Sequence, residues 1–228
     1  MMPRQIDAAL VSLTAPNTFA AEKYQGLRLR IEQLKHERGV TVLAVTSPDI
    51  SAGKTVTSIN LAVALARGAG ARVLLIDSDL RRPAVGAHLG LHGVKGAGLA
   101  EGLGDEHIEL RQIVRPLSPG STVAVILAGA VPTHVSELIR SRRFEILLQE
   151  ARALYDFVII DTPPLAPVYD AAVLSRLVDG ILIVVAAHET PRKLLEETLN
   201  LVDGSKVLGM VYNGDDSSQS QYDAYYTR

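Results

Sequence analysis

Three short stretches of this chain carry residue types suited to phosphate chemistry. Gly53-Lys54-Thr55 closes the loop that follows an apolar run, Asp77 and Asp79 flank a serine after Val-Leu-Leu-Ile (73–76), and Asp161 terminates Phe-Val-Ile-Ile (157–160). A loop of small residues opening a helix offers backbone N–H groups to phosphate oxygens. Its lysine neutralises their charge, and its threonine hydroxyl suits magnesium. On this reading Ser51, Ala52, Gly53, Lys54, Thr55 and Val56 cradle the phosphates. A buried parallel strand ending in aspartate delivers a carboxylate to such a site, which makes Thr55, Asp77 and Asp161 the candidate magnesium ligands. Residues i and i+2 of extended backbone face one side, so Asp79 is expected beside Asp77. The full phosphate-loop pattern has a further glycine five residues before Gly53, where this chain has Pro48.

The elements that position these groups are legible from apolar runs and turn residues. The pattern predicts strands at 40–46, 71–76, 123–127, 157–160, 181–185 and 207–212, with helices at 18–37, 54–67, 135–154 and 171–177. A last helix runs to Val202 with Thr190-Pro191 as its N-cap and first turn. Residues 84–120 hold eight of the 18 glycines and predict short helices and loops. Alternation of strand and helix implies an α/β fold: a doubly wound, mostly parallel sheet with helices on both faces, as in P-loop NTPases. Residues 1–17 read as a weakly patterned arm, 18–214 as the nucleotide-binding domain, and 215–228 as a polar, flexible tail.

Composition narrows the function. The chain has 228 residues, 47% hydrophobic but only 4% aromatic, and 23 basic against 25 acidic side chains. Aliphatic richness suits a buried parallel sheet, and the charge balance argues against an electrostatic nucleic-acid binder. With no cysteines, disulfides and thiolate metal sites are excluded. No apolar run reaches the length of a membrane span, and the start has no signal-peptide core. The expectation is a cytoplasmic protein, drawn to the inner face of the membrane only through a partner.

The strings Thr-Ser-Pro…Gly-Lys-Thr (46–55), Leu-Leu-Ile-Asp-Ser-Asp-Leu-Arg-Arg-Pro (74–83) and Val-Ile-Ile-Asp-Thr-Pro-Pro (158–164) resemble the Walker A, A′ and B motifs of the bacterial tyrosine kinases. The similarity continues at Ala128-Gly129-Ala130-Val131-Pro132, at Ser136-Glu137-Leu138, at Val178-Asp179-Gly180, and at 207–213. It implies an autophosphorylating protein-tyrosine kinase that uses ATP and Mg2+ and regulates exopolysaccharide or capsule production. Lys54, Asp77, Asp79 and Asp161 would be its catalytic groups. Asp79 is the preferred base and Asp77 and Asp161 act mainly on magnesium, although a swapped assignment leaves the same sequence. Arg81 and Arg82 belong to the most specific string, and Asn213 resembles the family's adenine-side asparagine. The acceptors would be Tyr222, Tyr225 and Tyr226, three of the seven tyrosines within the last seven residues. Implied partners are other copies of the chain, which phosphorylate one another, a transmembrane activator or polysaccharide co-polymerase, and a cognate tyrosine phosphatase; no nucleic acid is expected.

The pattern also departs from the family. Ile50-Ser51-Ala52 stand where the family carries Pro-Gly-Glu, and Asp49 stands at the superfamily's upstream lysine. The family's oligomerisation motif Glu-x-x-Arg-x-x-Arg is represented by Glu22, Gln25 and Arg28, without the middle arginine. Two alternatives remain open at this point: a regulatory ATPase of the partitioning type, and a nucleotide-binding module without kinase activity.

Overall fold

The computed structural model describes residues 5–91, 96–166 and 170–215. The strands are β1 (Val42–Thr46), β2 (Val73–Asp77), β3 (Arg115–Pro116), β4 (Val123–Ile126), β5 (Phe157–Asp161), β6 (Gly180–Ala186) and β7 (Val207–Asn213). They form one sheet in the order β3-β4-β2-β5-β1-β6-β7, parallel throughout except for the antiparallel pairing of β3 with β4. The helices are α1 (Val11–Thr14), α2 (Phe19–Arg38), α3 (Lys54–Ala69), α4 (Val85–His88), α5 (Leu99–Gly104), α6 (Leu110–Ile113), α7 (Val135–Ile139), α8 (Arg142–Leu154), α9 (Asp170–Leu174) and α10 (Arg192–Leu199).

Every residue of β1, β2 and β5 is buried, because both faces of the sheet are covered. Side chains alternate between two cores, as the two-residue period of a strand requires. Val42, Ala44, Leu74, Ile76, Val158 and Ile160 face the helices α5 to α9. Leu43, Val45, Val73, Leu75, Phe157 and Ile159 face α2, α3 and α4. The doubly wound α/β expectation therefore holds.

Several boundaries differ from the sequence pattern. The helix expected over 135–154 is two helices, because the backbone is extended at Ser141 (φ −69, ψ 146), the N-cap of α8. Thr190 does not cap α10: Pro191 occupies that position, and the Thr190 hydroxyl accepts from the Ala186 N–H at 3.1 Å. The region 84–120 contains the short helices α4, α5 and α6, and also β3, which the glycine-rich pattern did not disclose.

The amino-terminal arm is anchored over residues 5–17. Leu10 is fully buried, worth about 1.5–3 kcal/mol for such a side chain. Asn60 of α3 accepts from the Ser12 N–H at 2.8 Å and donates to the Ala9 carbonyl at 3.0 Å. Asp7 pairs with His88 at 2.6 Å. Weak periodicity hid this packing because four-residue α1 is too short to show a period.

Candidate active site

Strand parity and register build the site. Asp77 and Asp161 end adjacent parallel strands and are register partners. Each continues the odd-numbered side that faces α3 (Val73 and Leu75; Phe157 and Ile159), so both carboxyls project toward the start of that helix. The Thr55 hydroxyl of α3 donates to Asp161 Oδ2 at 2.7 Å, and the Ser58 hydroxyl lies 3.1 Å from Asp161 Oδ1. Asp77 Oδ2 accepts from the Val85 N–H at 3.1 Å, while its Oδ1 is buried with no hydrogen-bond partner. Asp79 Oδ1 accepts from the Arg82 N–H at 3.0 Å, and its Oδ2 lies 3.7 Å from Lys54 Nζ. The structure thus brings Lys54, Thr55, Asp77, Asp79 and Asp161 together at the carboxyl edge of the sheet, where ligands of open α/β sheets bind.

Electrostatics mark the same place. Burial, reinforced by the Asp161 charge, pushes the Asp77 carboxyl well above the usual carboxylate range. Burial also raises Asp161, to about 6, against the pull of Lys54 and the hydroxyls of Thr55 and Ser58. Three acids face one ammonium, and one buried carboxylate oxygen has no donor. A divalent cation fits that deficit of positive charge. Magnesium would be held there by one or two carboxylates plus nucleotide phosphates.

The loop before α3 is strained. Gly53 has φ 89, and a Cβ there would stand 2.0 Å from Asn213 Nδ2, so only glycine fits. Ser51 has φ 68, a left-handed conformation unusual for a residue with a side chain. Asn213, at the end of β7, donates to the Ala52 carbonyl at 3.0 Å and braces the loop from behind. Asp49 Oδ1 is buried without a partner. Val56, expected in the phosphate cradle, lines a groove of about 820 Å³ together with Phe19, Tyr24, Met210 and Asn213. The three carboxylates do not line that groove.

The remaining expected residues scatter. Arg81 reaches Asp170 and Ser136, and Arg82 contributes its amide to Asp79. Glu22 and Arg28 lie on α2, far along the chain from the carboxylates. There Arg28 is held by Gln25 at 3.0 Å and by Glu32 at 2.9 Å, and it packs over Gly68 of α3. Tyr222, Tyr225 and Tyr226 lie outside the described residues. Sequence reasoning missed Ser58, whose signal was its place one helical turn after Lys54 on the face that α3 turns to Asp161. It also missed Asp170, which no local pattern distinguishes.

Comparison with known proteins accords with this geometry. Residues 40–206 match the AAA domain family. The tyrosine-protein kinase YwqD of Bacillus subtilis (strain 168) is 33% identical over 222 residues, covering 96% of this chain and 92% of that protein. The chain belongs to the tyrosine-protein kinases of this P-loop family. The kinase domain of Escherichia coli tyrosine kinase ETK superposes with a TM-score of 0.84 at 30% identity, covering 93% of this kinase and 82% of that chain. The succinoglycan biosynthesis transport protein ExoP of Rhizobium meliloti (strain 1021) is 33% identical over 96% of this chain but only 28% of its own length. The partitioning-type alternative is not favoured by these relatives. The kinase is a nucleotide-binding domain, and none of its described helices is long and apolar enough to cross a membrane.

Proposed function

We propose that this kinase transfers the γ-phosphoryl group of magnesium-bound ATP to tyrosines of its own carboxyl-terminal segment, Tyr222, Tyr225 and Tyr226, on a neighbouring copy. The observation that carries this reading is the meeting of Lys54, Thr55 and three strand-end carboxylates at one loop.

A tyrosine phenol has a pKa near 10, so its proton must leave as the oxygen attacks phosphorus. Asp79, with Oδ1 held by an amide and Oδ2 facing Lys54, suits the role of acceptor. Lys54 and the amides of residues 51–55 stabilise negative charge on the transferred group. Asp77, Asp161 and Thr55 would hold the magnesium, which supplies charge neutralisation on the phosphates when bound. The phenolic oxygen takes the γ-phosphoryl group, ADP leaves, and the phenolic proton passes to Asp79. A self-acting kinase of this kind fits a membrane partner in polysaccharide export, a setting suggested by ExoP, of which a matching domain forms only a part. The same reading includes a cognate phosphatase and recruitment to the inner face of the membrane.

Incubation with ATP and magnesium, followed by mass-spectrometric mapping of phosphotyrosine, tests the proposal. Phosphate is expected on Tyr222, Tyr225 or Tyr226 and is lost in Lys54→Ala. A silent tail, or a Lys54→Ala protein indistinguishable from the parent, overturns it.

A further inference from the structure

Arg81, Ser136 and Asp170 are far apart in the sequence and closed into a ring in space. Arg81 Nε donates to Asp170 Oδ2 at 2.9 Å, Arg81 Nη2 donates to Ser136 Oγ at 3.0 Å, and Ser136 Oγ donates to Asp170 Oδ1 at 2.8 Å. Donors and acceptors balance: the single serine proton goes to the carboxylate, and a serine lone pair takes the guanidinium. The Asp170 side chain is 4% exposed and that of Arg81 43%.

The three residues follow three neighbouring strands. Arg81 comes after β2, Ser136 after β4 and Asp170 after β5, and β4, β2 and β5 are adjacent in the sheet. The ring therefore ties the loop after β2 to the helices α7 and α9 that follow β4 and β5, on the side of the site away from the strand β7 that carries Asn213. A half-exposed ion pair is weak evidence of a stability role, so its place invites another reading. Arg81 immediately precedes the residue whose N–H holds Asp79 Oδ1. Fixing the Arg81 side chain fixes the peptide unit that orients this carboxylate. The other Asp79 oxygen faces Lys54 at the long distance of 3.7 Å. The Arg82 amide is thus the tighter of the two constraints on the proposed proton acceptor.

We propose that Arg81, Ser136 and Asp170 form a positioning clamp that sets the orientation of the Asp79 carboxylate, acting on phosphoryl transfer and not on nucleotide binding. The inference rests on the role proposed above for Asp79. Misplacement of a reacting group by about 1 Å costs on the order of 100-fold in rate, and the clamp acts on that scale. The guanidinium fork is required because one donor must serve two acceptors held apart; a lysine ammonium cannot reproduce that plane.

The test compares Arg81→Gln, Arg81→Lys, Asp170→Asn, Ser136→Ala and Ser136→Thr in the full chain, by single-turnover phosphorylation, KM for ATP, ADP affinity and melting temperature. Arg81→Gln and Asp170→Asn are expected to lower kcat about 10- to 100-fold, with KM for ATP and ADP affinity within about twofold. Arg81→Lys recovers little. Ser136→Ala loses a few-fold, and Ser136→Thr, which keeps the hydroxyl, restores it. The double variant Arg81→Gln/Asp170→Asn should be no worse than either single one. With an active parent, kcat within twofold of the parent in both main variants overturns the clamp. A kcat loss matched by weakened ADP binding overturns it equally. A parent that transfers no phosphate removes the proposed function and the clamp together.

Discussion

Aspartates stand at both ends of the central strands, and the two ends treat them in opposite ways. At the amino end, Asp179 precedes β6 and accepts from the N–H groups of Thr41 and Val42 at 2.9 and 2.8 Å, and from both terminal nitrogens of Arg152 at 2.8 and 2.7 Å. Those bonds outweigh its partial burial and hold its pKa near 2. At the carboxyl end, Asp77 keeps a buried oxygen without a donor, and Asp161 is raised to about 6. Both ends belong to one sheet in one chain. The amino end has its acids satisfied by the protein itself, whereas the carboxyl end leaves them short of positive charge. That deficit is the physical signature of a site completed by something the chain does not supply.

The largest effects should separate the two ends by kind. Asp77→Asn is expected to reduce tyrosine phosphorylation by about 1,000-fold, the scale of losing one preorganised electrostatic group, without lowering the melting temperature. Asp179→Asn is expected to do the reverse. It lies a strand length away, roughly 15 Å from the site at about 3.3 Å per residue, so kcat should be unchanged. Stability should fall by about 2 kcal/mol, as for hydrogen bonds to a charged group. Paired kinetic and denaturation measurements decide the matter. A destabilised, active Asp77→Asn would erase the contrast.

Acid sharpens the comparison. The folded Asp179 titrates near 2, below the ordinary 3.8, so the native state binds fewer protons than the unfolded chain between those values. Its stabilisation is complete above about pH 4 and is lost as the pH falls through 2. Asp161, raised to about 6, has the opposite sign: without nucleotide, its contribution declines as the pH rises from about 4 to 6. Melting curves across pH should show Asp179→Asn flattening the acid limb and Asp161→Asn weakening the higher one, which the raised Asp77 shares. Identical profiles for the two variants would contradict the assignment.

How much of this was legible in the sequence follows from the same division. The central strands declared themselves as aliphatic runs because both faces of the sheet are buried, and two of those runs, at 73–76 and 157–160, ended in an aspartate. Lys54, Thr55, Asp77, Asp79 and Asp161 could therefore be named before any fold was known. The clamp could not, because Ser136 was visible only within a family string and Asp170 not at all, and both are brought to Arg81 only by the strand order β4-β2-β5. The division of 135–154 at Ser141 and the packing of Leu10 were hidden for a related reason. Both depend on tertiary contacts that leave no period. Asp179 was visible only as part of a family string, since one carboxylate joining β1, α8 and β6 has no local pattern.

The smallest effect concerns the loop itself, where residues 51 and 53 make a comparison within the site. Both have positive φ, but Gly53 is suited to it and Ser51 is not. A left-handed conformation costs a residue with a Cβ about 1–2 kcal/mol, and glycine returns part of that through its freer unfolded chain, about 0.4–1 kcal/mol. Ser51→Gly should therefore gain about 0.5–1 kcal/mol in stability and bind ADP a few-fold more tightly, with Ser51→Ala unchanged. Gly53→Ala should lose nucleotide binding, since its new methyl group would meet the Asn213 amide that braces the loop. Calorimetry with ADP on the three variants reads the strain directly. If Ser51→Gly weakens binding, the serine hydroxyl contributes to phosphate recognition by more than its backbone conformation costs.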